Sequence, residues 1–228
     1  MIVMKFGGSS IASAEKIRRC IELVGGELQR SPLVVVSAHG RTTNELIAAA
    51  DLARRGTVEM EVLESYHREL VRELALDEEL IAPLLSQLHA FLHGVSLIQE
   101  LTARTRDHIM SFGERLSTRI IAAAMTRAGI AASAVNAYEI GLQTDDRHGA
   151  AAPLPGIYER LSREFSGRPD VPVVTGFLGS NARGDITTLG RSGSDFTASI
   201  LGAAVSAEEV QIWTDVSGIM TCDPSLDP

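Results

Sequence analysis

Short unbroken apolar runs alternate along this chain with stretches whose apolar residues recur at helical spacing, the pattern of buried strands joined by amphipathic helices. Residues 1–6, MIVMKF, predict a buried strand that breaks at Gly7-Gly8-Ser9-Ser10. A helix follows with Ile17, Ile21 and Val24 on one face and Lys16, Arg18, Arg19 and Glu22 elsewhere, weakened at Gly25-Gly26. The run LVVVSA at 33–38 reads as a central parallel strand and ends in a polar loop before the helix ELIAAADLARRG. Two successive strand–turn–helix units favour a doubly wound α/β sheet.

From 57 to about 128 the strand signal almost vanishes, and EMEVLESYHRELVRELAL, DEELIAPLLSQLHAFLHGVSLIQEL and RDHIMSFGERLSTRIIAAAMTRAG predict three amphipathic helical segments. Pro83 marks a helix start or a kink. Gly113, inside SFGERLS at 111–117, interrupts an otherwise good helix and predicts a close approach to the backbone. Strands resume with IAASAVNA (130–137), PVVT (172–175), TTL (187–189) and EVQIWTD (209–215). Helices are expected over YERLSREF and 195–205, and 143–156 is a loop rich in Asp, Gly and Pro.

Composition narrows the function. Hydrophobic residues make up 45% and charged residues 22% of the 228, an ordinary globular balance. A net charge of -8 argues against nucleic acid or an anionic membrane surface as partner. An acidic chain that handles anions must do so with local cations. Cys20 and Cys222 are too few for a disulfide framework or a zinc cluster. No apolar run approaches the roughly 20 residues of a membrane span, and the N-terminus has no signal-peptide features. The expectation is a cytoplasmic protein.

Candidate chemistry concentrates at 184–195, GDITTLGRSGSD, where Gly190 and Gly193 bracket Arg191 and Ser192. A glycine turn opening onto a helix gathers backbone N–H groups at which an anion can sit. Ser194 or Asp195 as a plain N-cap is the alternative. Arg191 adds a planar cation suited to a carboxylate or phosphate. The first ten residues share the layout of a phosphate cradle, but Lys5 precedes the glycines and no G-x-x-x-x-G-K-[ST] occurs. Taken alone, Lys5 reads as a strand-end lysine pointing to solvent, and neither it nor Asp195 reads as a core residue. Ser37, Thr43 and Asn44 lie at a strand's carboxyl end, where open parallel sheets bind ligands; capping by Thr43 or Asn44 is the alternative. Glu114 is a solvated helix-start carboxylate or a functional one. His89 and His93 lack the glutamate of a zincin motif and read as surface residues.

Five blocks occur in order: KFGGSS (5–10), VVVSAHGRTTN (34–44), SFGERLS (111–117), TGFLGSNARGDITTLGRSGSDFTA (175–198) and IWTDVSGIMTCDP (212–224). Together they resemble the amino acid kinase family, and within it the catalytic domain of the aspartate kinase branch. The resemblance implies a three-layer α/β/α sandwich with a mostly parallel central sheet and an added helical section. One kinase domain would cover 1–228, with an amino-acid-binding lobe at about 1–137, a helical insertion at 57–128 and a nucleotide-binding lobe at about 138–228. The implied reaction is phosphoryl transfer from ATP, with Mg²⁺ held mainly through the phosphates, to the side-chain carboxylate of L-aspartate. A carboxylate is already an anionic nucleophile near neutral pH and needs no general base.

By the same resemblance Lys5 and Asp195 are catalytic, and Gly7, Gly8, Ser9, Gly193 and Ser194 hold phosphate. Ser37, Thr43, Glu114 and Arg191 form the amino acid pocket, Arg191 on a carboxylate and Glu114 on the α-ammonium. Thr214, Asp215, Met220 and Asp223 match nucleotide-binding positions. Two departures stand out: Ser225 follows Asp223-Pro224 where the family usually has a basic residue, and the family's last helix and strand and its ACT regulatory domains are missing. They imply a fragment, a split gene product, or a form that takes the missing part from a partner chain. A homo-oligomer is expected, with 57–128 offering surface. The alternatives are a kinase for another amino acid carboxylate and a degenerate homologue that binds nucleotide or amino acid and regulates a partner.

Overall fold

The computed structural model describes residues 1–214. Its centre is a five-stranded sheet built from β1 (Ile2–Phe6), β2 (Pro32–Val36), β3 (Ala132–Val135), β4 (Val171–Thr175) and β7 (Glu209–Trp213), in the order β3-β4-β2-β1-β7. Every pairing within it is parallel. A separate antiparallel pair, β5 (Leu178–Ser180) with β6 (Ile186–Thr188), stands beside it.

Strand alternation divides the core into two layers. Ile2, Met4 and Phe6 of β1, with Val34 and Val36 of β2, pack against α1 (Ala14–Gly26), α2 (Thr42–Ala53) and α6 (Phe112–Arg127). Val3, Leu33 and Val35 point the other way, against α7 (Ile157–Phe165) and α8 (Gly193–Ala204). Helices on both faces of a parallel sheet make the expected three-layer α/β/α sandwich.

The helical section holds α3 (Glu61–Glu73), α4 (Ala82–Ile98), α5 (Ala103–Met110) and α6. The third predicted segment is thus two helices that meet at Ser111, not one. Thr102 caps α5, its side chain accepting from Thr105 N–H. Pro83 lies in the first turn of α4, where its missing N–H costs nothing. His89 and His93 are exposed, their rings stacked 6.4 Å apart.

Leu178–Ser180, for which the sequence predicts no strand, is a strand, because the hairpin with β6 pairs its backbone. Two local expectations are corrected. Neither Ser194 nor Asp195 caps α8: Ser192 does, in the left-handed region at φ 56°, without a side-chain cap. Thr43 and Asn44 do not cap α2, which Arg41 precedes.

Candidate functional site

Four chain segments meet at the carboxyl ends of β1, β2 and β4. Lys5 shares its side of the sheet with Val3, the side α8 covers, so strand parity aims its side chain at the first turn of that helix. Lys5 Nζ lies 2.7 Å from Asp195 Oδ1. The lysine is buried at 7% exposure, which overturns the reading of a solvent-facing strand end. Burial is tolerated because the aspartate neutralises the ammonium, and Asp195 remains open to solvent on its other side, its side chain 43% exposed.

The glycine turn after β1 is held from two sides. Gly7 N–H donates to Trp213 O at 3.1 Å and Ser10 Oγ–H to the same carbonyl at 3.3 Å, tying the turn to the end of β7 beside Thr214. Gly40 N–H donates to Gly8 O at 3.0 Å, joining it to the loop after β2. A Cβ on Gly8 would meet Ala38 O at 2.6 Å, so this close passage requires glycine.

Ser37 lies on that second loop and Thr43 in the first turn of α2 that follows it, both partly exposed. Behind the loop stands Glu114, buried on the first turn of α6. Ala38 N–H donates to Glu114 Oε1 at 3.1 Å, while Oε2 is buried with no partner among the described residues. Burial pushes the Glu114 carboxyl up to about 8, against hydrogen bonds from the Ala38 and Glu114 backbones that favour the anion. A solvated carboxylate is therefore not what α6 presents. The close approach predicted at Gly113 is also present: its partner is the same loop, since a Cβ there would meet Ala38 Cβ at 2.7 Å.

Around α8, Gly193 and Ser194 are both buried against the turn that follows β4. A Cβ on Gly193 would meet the Phe177 ring at 2.6 Å, and one on Gly176 would meet Ser194 Cβ at the same distance. Phe177 itself is held at φ 66°, an uncommon setting for an aromatic residue, with its N–H donating to Thr197 Oγ1 at 3.0 Å. Arg191 is exposed on the turn before α8, between Gly190 at φ 77° and Ser192. Asp215, Met220 and Asp223 lie outside the described residues.

One residue with a clear place in this architecture escaped sequence reading. Asp107, on α5 and 1% exposed, accepts from Thr188 Oγ1 at 2.8 Å, Thr188 N at 3.1 Å, Gly149 N at 3.0 Å and His148 Nδ1 at 2.9 Å. It thereby fastens α5 to the end of β6 and to the loop at 145–152, just before the Arg191 turn. No local pattern announces this, because its partners lie 41 to 81 positions away. No group of three His, Cys, Asp or Glu side chains suited to a metal occurs among the described residues. No helix among them is long and apolar enough to cross a membrane.

The model of the amino acid kinase family matches residues 1–228. The chain belongs to that family. Among curated relatives, aspartokinase 1, chloroplastic, of Arabidopsis thaliana is 42% identical over 98% of the chain and 42% of its own length. Aspartokinase of Thermus thermophilus is 32% identical over 100% of the chain and 46% of its own length. The crystal structure of E. coli aspartokinase III in complex with aspartate and ADP superposes with a TM-score of 0.90 at 29% identity, covering 99% of this chain and 52% of that one. The chain thus spans about half the length, or less, of the relatives it matches.

Proposed function

We propose that this chain is the catalytic portion of an aspartate kinase, transferring the terminal phosphoryl group of ATP to the side-chain carboxylate of L-aspartate and giving 4-phospho-L-aspartate and ADP. The observation that carries the reading is the Lys5–Asp195 pair, 2.7 Å apart beside a glycine turn at the carboxyl edge of the sheet. Relatives named aspartokinase and a structural neighbour solved with aspartate and ADP support the choice of substrates.

In this mechanism the substrate carboxylate is the nucleophile. Its oxygen bonds to the terminal phosphorus as the bond to the bridging oxygen breaks and ADP leaves; no proton has to be removed. What the protein supplies is position and charge. Lys5 places an ammonium where negative charge is transferred, and Asp195 fixes its orientation. Gly8, Ser9 and Ser194 offer backbone N–H groups to the phosphates, while Gly7 and Gly193, whose own N–H groups donate to Trp213 O and Gly190 O, shape the two turns that line the phosphates. Glu114 takes the α-ammonium on its unpaired Oε2, Arg191 takes the α-carboxylate, and Ser37 and Thr43 complete the pocket. Thr214, at the end of β7, belongs to the nucleotide side, as do Asp215, Met220 and Asp223.

Mg²⁺, when bound with the nucleotide, would shield the phosphate charges from the incoming anion. Asp195 is half open beside the phosphate turn and offers an oxygen ligand of the right hardness, so phosphate-held Mg²⁺ fits the residues present. Residues up to about 137 supply most of the amino acid pocket and the remainder most of the nucleotide side, with Arg191 and the turn of Lys5, Gly7, Gly8 and Ser9 crossing between the two. ADP release coupled to NADH oxidation tests the proposal: activity should depend on L-aspartate, and ADP formation indifferent to it would contradict the assignment.

A further inference from the structure

A second concave site lies between α4, α5, α6 and the β5–β6 hairpin, a cavity of about 670 Å³ that shares no lining residue with the site described above. That volume falls within the range of small-molecule sites, roughly 300–1,000 Å³. Its charged lining among the described residues is Arg104 and Arg115 against the single carboxylate Asp185. Asp185 is already engaged, by Arg104 at 3.1 Å, Arg183 at 3.2 Å and Asn181 at 3.1 Å. The lining is thus net positive in a chain whose overall charge is -8.

Arg115 is the unusual member. It is 8% exposed, and its only side-chain acceptor among the described residues is Gln87 Oε1, 3.1 Å from Nη2. Nε and Nη1 are shut away from water with no partner among those residues. The Phe112 ring lies 4.4 Å from the guanidinium carbon and satisfies one face of the cation. A ring face offers no acceptor in the guanidinium plane, where the unmatched donors point. Buried donors left this way are destabilising unless an acceptor arrives. Gln87, whose Oε1 accepts from Nη2, also lines the cavity together with Arg115, so an entering acceptor can take the place of its amide. Beside it Phe91 stacks on His108, ring centroids 4.1 Å apart, and Phe91 is 37% exposed.

We infer that this cavity binds a small organic oxyanion, with its carboxylate or phosphate on the Arg115 guanidinium and its apolar body on the Phe91–His108 stack. The site serves an anion other than the one handled by Lys5 and Arg191, since neither residue lines it.

Calorimetry and ligand-observed NMR with phenylacetate, phenyl phosphate and the neutral phenylacetamide test this directly. The tighter of the two anions identifies the headgroup, and the amide should bind far more weakly. Arg115→Gln should weaken anion binding by about tenfold or more, through loss of the charge-assisted pair. Arg104→Ala, at an exposed position, should weaken it by less, and Arg191→Ala should leave it unchanged. Gln87→Ala removes the competing acceptor and should tighten binding, which keeps the test open if Arg115→Gln does not fold. The inference fails if neither anion binds by about 10 mM, if phenylacetamide binds equally well, if Arg115→Gln binds as the parent does, or if Gln87→Ala leaves affinity unchanged or lower. Loss of binding in Arg191→Ala would instead place the anion in the substrate pocket and also overturn it.

Discussion

Lys5 Nζ and Asp195 Oδ1 meet at 2.7 Å across the seam between β1 and α8, a strand and a helix separated by nearly the whole chain. The pair joins the glycine turn of residues 7–10 to the helix start at Gly193. Lys5→Met should lower kcat by about a thousandfold, a scale set by loss of one preorganised charge at the reacting centre. Asp195→Asn should lower kcat by a similar factor. Steady-state rates with circular dichroism as a fold control check both, and parental rates in either variant would remove that residue from the mechanism.

Glu114 gives a pH signature. Its carboxyl stands at about 8 in the folded chain because it is buried, whereas an unfolded glutamate titrates near ~4.3. Between those values the folded state holds a proton that the unfolded chain has lost, so this group makes stability fall as pH rises. The melting temperature of the ligand-free chain should therefore decline from about pH 5 to about pH 8, and Glu114→Gln should flatten that decline. A slope unchanged by the substitution would show that Glu114 is not the group responsible.

Aspartate should also bind with release of a proton, because the α-ammonium favours ionised Glu114 over the buried acid. Calorimetry in buffers of different ionisation enthalpy near pH 7 measures this, and no buffer dependence would contradict it.

Gly113→Ala places a methyl group against Ala38 Cβ, 2.7 Å from where it would sit. Both partners are on packed backbone, so the loop after β2 must shift, costing about 1–3 kcal/mol of stability. The aspartate KM should rise more than kcat falls, because the displaced loop carries Ser37 and leads into Thr43 at the start of α2. An unchanged KM would separate this loop from the amino acid pocket.

Asp107→Asn probes the brace behind Arg191. Four donors converge on its two oxygens, and an asparagine amide would turn N–H groups toward some of them. The expected cost is about 2–3 kcal/mol, the worth of a hydrogen bond to a buried charge. Thermal melts read the stability, and a KM rise that exceeds the fall in kcat would place the effect at the Arg191 turn.

Much of this architecture was legible because its signals are local. Apolar runs marked the parallel strands, helical spacing marked the layers, and Gly113 announced a close contact before its partner was known. Other features depend on contacts distant in sequence. Lys5 looks like a strand-end lysine until α8 brings Asp195 over it. Glu114 looks like a helix-start carboxylate until the β2 loop closes above it. Ser111 hides a break between α5 and α6 because both helices share one apolar periodicity. Asp107 and Arg115 carry no motif, and only the tertiary packing gives one four donors and leaves the other short of acceptors.

The most direct test is trapping of the acyl phosphate with hydroxylamine, using this chain with Mg-ATP and L-aspartate beside L-glutamate. Aspartyl hydroxamate should form with aspartate only, and it should disappear in Lys5→Met. Equal product from glutamate would contradict the aspartate assignment, and no hydroxamate from either, with ATP bound, would contradict the proposal that this chain catalyses the transfer.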